Sequence, residues 1–295
     1  MYDTVLVPTD GSDIASITGE VAIAVAARFD ATIEALYVST DGSPEPSPDA
    51  QSEARNRRGQ DALAKIEKRA ADAAVESTTA LVEANGSDPI YRTILDYADS
   101  SDTDLIVMGT HGRTGVGRIV LGSVTEQTLR ESPVPVMALH ENTAFSGDFD
   151  SLLVPTDGSD AAESALDHGI ELALTTGATL HIISVVDVGA VAGSYNVEGV
   201  ADKLREGSNE ALGTAVERAE DAGVSSIEST VLTGAPGRSI CEYANQHGID
   251  TIAMGTRGLT GVERLVLGSV TERVVRRSPV PVIGTKATIT SDHTS

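Results

Sequence analysis

The sequence predicts two tandem, doubly wound α/β domains, each a five-stranded parallel sheet with helices on both faces. Three observations predict it. First, the chain repeats itself. V-P-T-D-G-S-D at residues 7–13 returns at 154–160, G-T-x-G at 109–112 returns at 255–258, and S-P-V-P-V at 132–136 returns at 278–282. The second copy is therefore shorter by one residue, net, and a repeat this long is a duplicated domain rather than a solenoid. Second, short runs that are apolar throughout alternate with stretches of helical period, the pattern of a parallel sheet covered on both faces. Third, 295 residues suffice for two domains, each able to bury about 70% of its unfolded surface. The predicted domains are 1–142 and 149–286, around a short polar join near 141–150.

Taken in order, residues 4–7 read as a short buried strand. Ser12 can cap a helix to about Arg28, with Ile14, Ile17, Val21 and Val25 on one stripe. Residues 32–38 are a second strand, and the prolines of the loop 39–48 forbid regular structure there. A charged, alanine-rich helix is expected over about 50–75, a third strand at 79–83, a helix at 89–98 and a fourth strand at 104–108. A helix at 123–130 and a fifth strand at 134–139 complete the copy. The second copy places its strands at 151–154, 179–186, 229–232, 251–254 and 280–283, and its loop 187–196 is glycine-rich where the first is proline-rich. Right-handed crossovers make each copy doubly wound.

The formal charge of −23 and pI near 4.4 exclude a protein built to grip nucleic acid, because phosphate-backbone binding is driven by Lys and Arg. Lysine occurs only at 65, 68, 203 and 286. An acid-rich, lysine-poor surface is expected of a protein working in concentrated, halophilic salt, where screening removes self-repulsion. No run approaches the roughly 18 apolar residues of a membrane helix, so no membrane partner is expected. The start MYDTVLVPTD has neither the basic nor the apolar region of a secretory signal. The single cysteine, Cys241, rules out an intrachain disulfide, and a cytoplasmic setting is expected.

The candidate chemistry lies where the apolar run 105–108 stops at Gly109 and a glycine-rich loop leads to G-S-V-T-E at 122–126. The second copy repeats this at Gly255, Gly258 and 268–272. A strand, a glycine-rich loop and a helix start are the parts of a phosphate site, in which bare N–H groups and the positive helix end face the anion. Glycine there permits φ > 0 and close backbone approach. Ser123 and Ser269 also begin Ser-x-x-Glu, a capping box that needs no ligand. Ligands of open parallel sheets sit beyond the carboxyl ends of the strands, where strand order reverses. The ends at Asp10, Val38 and Gly109 can converge on one crevice. Asp10 and Asp157 then either meet a ribose hydroxyl or adenine amino group, or simply shape the Asp-Gly-Ser turn. Val38 and Val185 are either core or base-contacting.

On V-P-T-D-G-S at strand one, the G-x-x-G-x(9)-G-S pattern and S-P-V-P-V at strand five, each half resembles a universal stress protein domain of the ATP-binding kind, across nearly the whole chain. The resemblance implies ATP as ligand, with phosphates wrapped by the loop after strand four, adenosine held by the strand-one Asp, and adenine touched by the backbone at the end of strand two. It implies Asp10, Val38, Gly109, Gly112, Gly122 and Ser123 in the first site. In the second it implies Asp157, Val185, Gly255, Gly258, Gly268 and Ser269. Thr125 and Thr271 are further candidates, for a terminal phosphate. The copies depart from each other at His111, which is Arg257 in the second: an imidazole able to contact phosphate or activate water, against a guanidinium able to pair with phosphate bidentately. Arg118 and Arg264 hold matching loop positions.

Three functions compete: a regulatory nucleotide-binding module read by an unknown protein partner, a slow ATPase or phosphotransferase, and a ligand-free dimerisation scaffold. GxxxxGK[ST] is missing and His111 has no recognisable orienting partner, which disfavours an enzyme. Mg²⁺ or Mn²⁺ is expected to accompany the nucleotide, because a −23 protein repels a polyanion. In strand five, Pro133 and Pro135 place both missing N–H groups on one edge. The other edge is expected to pair, between the two halves of one chain or between two chains.

Overall fold

The computed structural model describes residues 1–40, 49–84, 88–110, 121–187, 189, 197–256 and 267–286. The chain divides into two compact units, Met1–Asp148 and Phe149–Ser295. The loops expected at 39–48 and 187–196 lie largely outside the described residues.

The first unit runs β1 (Thr4–Pro8), α1 (Asp13–Phe29), β2 (Thr32–Ser39), α2 (Asp49–Asp72), β3 (Ser77–Glu83), α3 (Ile90–Ser100), β4 (Leu105–Gly109), α4 (Ser123–Glu131) and β5 (Val136–Leu139). The second runs β6 (Ser151–Pro155), α5 (Asp160–Thr176), β7 (Thr179–Val186), α6 (Val197–Asp221), β8 (Ile227–Thr233), α7 (Pro236–Gln246), β9 (Thr251–Gly255), α8 (Ser269–Arg277) and β10 (Val282–Thr285). Each unit orders its five strands alike, β3-β2-β1-β4-β5 and β8-β7-β6-β9-β10. All pairings within a unit are parallel. The predicted doubly wound architecture is what the chain forms. Strand order reverses between β1 and β4, so α1 packs with α2 and α3 with α4 on opposite faces.

Burial explains the strands. Val5, Leu6 and Val7 are completely buried, as are Leu105, Ile106 and Val107 beside them. The amphipathic helix α1 begins at Ser12, whose Oγ accepts from Ala15 N at 3.3 Å, and ends at Asp30 with φ 55°. Helix α5 repeats this with Ser159 and Ala162 at 3.3 Å and closes on Gly177 at φ 78°, a C-terminal position where glycine is favoured. Arg69 Nη1 donates to the Ser16 carbonyl at 3.1 Å and tethers α2 to α1, while Arg218 Nη2 reaches Asp167 and tethers α6 to α5.

A clamp absent from the sequence reading registers the central strands. Asp104 Oδ2 accepts from the N–H groups of Asp3 (2.7 Å) and Thr4 (2.9 Å). Asp250 Oδ2 does the same for Asp150 and Ser151, both at 2.9 Å.

Strand five differs from expectation. It begins at Val136 and Val282, after both prolines. Ser132 Oγ donates to the Val134 carbonyl at 2.6 Å and accepts its N–H at 3.2 Å, forming a tight turn that Ser278 and Val280 repeat. Pro135 and Pro281 contribute only carbonyls, to Ile106 and Ile252. The prolines therefore lead into the strand instead of marking one of its edges. The third strand of each unit starts two residues earlier than predicted, at Ser77 and Ile227, because pairing with β2 and β7 overrides a weak polar pattern.

Candidate functional site

The predicted crevice lies where β1, β2 and β4 end side by side. Leu36 stands beside Pro8, and Leu6 beside Ile106, so the three strand ends lie one ladder spacing apart. The last ladder bond from the β1 side is Thr9 N to the Leu36 carbonyl, at 2.8 Å. Backbone groups alternate along a strand, so the N–H and C=O of Val38 point toward the same side, one step beyond the turn of the β1 chain. Val185 holds the same place past the bond from Thr156 N to Ile183. Both valines are half-buried, neither closed core nor open surface.

After β1 the chain makes a tight turn held by its own side chains. Thr9 Oγ1 accepts from Gly11 N at 3.2 Å, and Asp10 Oδ1 accepts from Ser12 N at 3.0 Å. The second unit repeats both bonds at 3.2 and 3.1 Å, and Ser159 Oγ adds a donation to Asp157 Oδ1 at 2.6 Å. Gly11 and Gly158 both have φ 76°, so here glycine is required by conformation. Asp10 and Asp157 thus perform the turn role, and they do it at the mouth of the crevice.

On the other side stand the two ends of the β4–α4 connection, Thr110 and Gly122. They are tied together: Gly122 N donates to the Thr110 carbonyl at 2.6 Å, and Thr110 N to Leu139 at 2.7 Å. Gly268, Thr256 and Thr285 repeat this at 2.8 Å for both bonds. Thr110 and Thr256 are fully buried feet of the loop, and the sequence reading missed them although G-T-x-G recurs in both halves.

Four expectations about this side change. The capping boxes do not form. The cap positions are Gly122 and Gly268, with no side-chain bond to the helix, while Ser123 and Ser269 are the first helical residues and exposed. Among the described residues no side chain caps the start of α4 or α8. Glycine at 122 and 268 is not required by conformation either, since φ is −66° and −57°. Gly109 and Gly255 serve packing: a Cβ at 109 would lie 2.7 Å from Ile14 Cγ1, and one at 255 would lie 2.6 Å from the Ala161 main chain. Finally, Thr125 and Thr271 are buried, and each Oγ1 donates to the carbonyl of Gly109 or Gly255 at 2.7 Å. They latch the helix start to the strand end. His111, Gly112 and Arg118, with Arg257, Gly258 and Arg264, lie outside the described residues.

These features define a duplicated, doubly wound α/β protein whose halves repeat one strand-end geometry at the switch point. A profile of the universal stress protein family matches residues 1–140 and 148–286, and the chain belongs to that family. Universal stress protein MJ0531 of Methanocaldococcus jannaschii is 38% identical over 141 residues, 47% of this chain and 82% of that relative. Universal stress protein YxiE of Bacillus subtilis is 30% identical over 145 residues, 46% of this chain and 97% of its own. A universal stress protein of solved structure from Archaeoglobus fulgidus is 26% identical, with a TM-score of 0.72 over 97% of this chain and 96% of that one. No helix among the described residues is long and apolar enough to cross a membrane.

Proposed function

We propose that each unit binds one adenine nucleotide, ATP accompanied by Mg²⁺ or Mn²⁺, and that the chain acts as a regulatory stress-response module read by a protein partner and not as an enzyme. The observation that carries this reading is the pair of helix starts at Gly122 and Gly268, which have no capping side chain and stand beside the end of β4 or β9. An anion there meets bare amides and the helix dipole. Asp10 and Asp157 suit a ribose hydroxyl at the opposite wall, and the main chain at Val38 and Val185 suits the edge of a purine. The γ-phosphate then points toward the loop that carries His111 in one unit and Arg257 in the other.

Mg²⁺ bound by nucleotide phosphates needs few protein ligands. The ion would neutralise phosphate charge against a protein of −23. Each helix start supplies only about 0.3–1 kcal/mol at an exposed site, so both divalent metal and high salt should strengthen binding. The same charge underlies the proposed halophilic stability, which equal folding in dilute buffer and molar salt would refute. Strand five is the proposed pairing edge, within one chain or between two, and sedimentation separates monomer from dimer.

Calorimetric titration with ATP, AMP and cyclic AMP, with and without Mg²⁺, tests the reading. Two nucleotides per chain and a metal-dependent affinity are expected. Heat that is absent, or an affinity that falls steeply with salt and ignores metal, overturns it. Release of phosphate at a rate set by His111 would favour the slow ATPase.

A further inference from the structure

The second unit carries a cleft that the nucleotide reading does not use. It lies between the edge strand β8 and helix α7 and encloses about 460 Å³, within the range of small-molecule sites. Side chains alternate along β8, and the pairing of His181 with Glu228 sets Glu228 and Thr230 on the α7 face. Helix α7 presents Ser239, Glu242, Tyr243 and His247 to the same cleft at three- and four-residue spacing. His181, 4% exposed, lies behind two of the lining residues, with Nδ1 3.0 Å from Tyr243 Oη and 3.5 Å from Glu228 Oε2. The His247 ring stacks on Tyr243 at 3.8 Å and 14°, and its Nδ1 donates to the Tyr243 carbonyl at 3.0 Å. That bond fixes the ring as an aromatic wall.

Charge decides what such a cleft accepts. Glu242 is engaged by Arg238 Nε at 2.6 Å. Glu228, by contrast, is ion-paired with no Lys or Arg among the described residues, and its side chain is 60% exposed. Burial lowers the His181 pKa, so the ring behind Glu228 adds no competing positive charge near pH 7. Two carboxylates repel an anionic ligand, and the hydroxyl-rich lining disfavours a purely apolar one. A carboxylate beside a stacked aromatic pair is the environment that attracts an ammonium group, through charge and through the ring quadrupole.

We propose that this cleft binds a small organic cation, a primary alkylammonium, with Glu228 as counter-ion and the Tyr243–His247 stack as the wall for its alkyl chain. The first unit supplies an internal control. Its corresponding pair is Glu34 and Thr78, its tyrosine is Tyr97, and Ser101 stands where His247 would be. The stack is missing there, and the carboxylate stands on β2 at Glu34 instead of on the edge strand, where Thr78 takes its place.

The test is titration of the full chain with putrescine and n-butylamine, followed by backbone amide shifts. Saturable shifts confined to β8 and α7 are expected, with affinity at least about tenfold weaker in Glu228→Gln, the loss of one charge-assisted contact. His247→Ala should weaken binding by less, and Glu228→Gln should leave the thermal midpoint unchanged. Shifts that never saturate and spread over the acidic surface would reveal only a counter-ion atmosphere and overturn the proposal. So would unaltered affinity in Glu228→Gln. A lysine-bearing extended peptide that binds the same amides more tightly than either amine would overturn the small-molecule assignment.

Discussion

The two units are the same scaffold with different far edges. Around the switch point the correspondence extends to individual hydrogen bonds: Thr9 and Thr156 hold the turn, Thr125 and Thr271 latch the helix start, and Asp104 and Asp250 clamp the central strand. Under α3 and α7 the units diverge. Glu34 buries Oε2 with no hydrogen-bond partner, whereas His181 at the matching place bonds Tyr243. The contrast teaches where each kind of constraint lies. Main-chain geometry at the crevice tolerates few side chains, while the sheet edge accepts new chemistry without disturbing the crossovers.

The sharpest break in the symmetry is expected at the fourth-strand glycine. A methyl group at Gly255 strikes the α5 main chain at Ala161, which cannot rotate away, while one at Gly109 strikes the side chain of Ile14. Gly255→Ala should cost about 3 kcal/mol and Gly109→Ala about 1–2, read by denaturant unfolding with amide exchange resolved by unit. Equal costs would show that α1 and α5 yield alike.

Thr125→Val and Thr271→Val come next. Each removes the donor to a strand-end carbonyl and should cost about 1–2 kcal/mol. Nucleotide affinity should fall in both units because the helix start moves. Unchanged affinity with lost stability would separate the latch from the site.

Acid should then distinguish the units. Burial lowers the pKa of His168 to about 4 and that of His181 below its ordinary value. The unfolded chain therefore binds protons first as pH falls below about 6.5. Stability from these neutral rings is complete above that pH and declines below it. The second unit should lose a few degrees of melting temperature between about pH 6.5 and 5, and His181→Gln should reduce that loss. A first unit equally sensitive would point to carboxylates instead.

The smallest effect belongs to the clamps. Asp104→Ala and Asp250→Ala each release two partly exposed N–H groups to water, so about 1 kcal/mol is expected, alike in both units. A larger loss in one would mean that the central strand depends on its clamp there.

Much of this was legible in the sequence. Runs such as 105–108 can be stable only between two helical layers, and the return of V-P-T-D-G-S-D exposes the duplication. Less legible were roles that depend on what lies opposite. Gly109 reads as a ligand-approach residue until α1 is seen against it, and Ser123 reads as a cap until Gly122 is seen to hold that position and Ser123 to be the first helical residue. Asp104 gives no local signal, because its partners lie about a hundred residues away.

By itself the sequence determined the doubled α/β order, the acidic composition and the turn after the first strand of each unit, since periodicity, charge and turn residues are local properties of a chain. Tertiary structure alone decided which glycines admit a helix, which hydroxyls latch a helix start to a strand end, and that Glu228, Tyr243 and His247 line one cleft with His181 behind them. Those outcomes depend on distances between segments remote in the chain, and packing sets such distances.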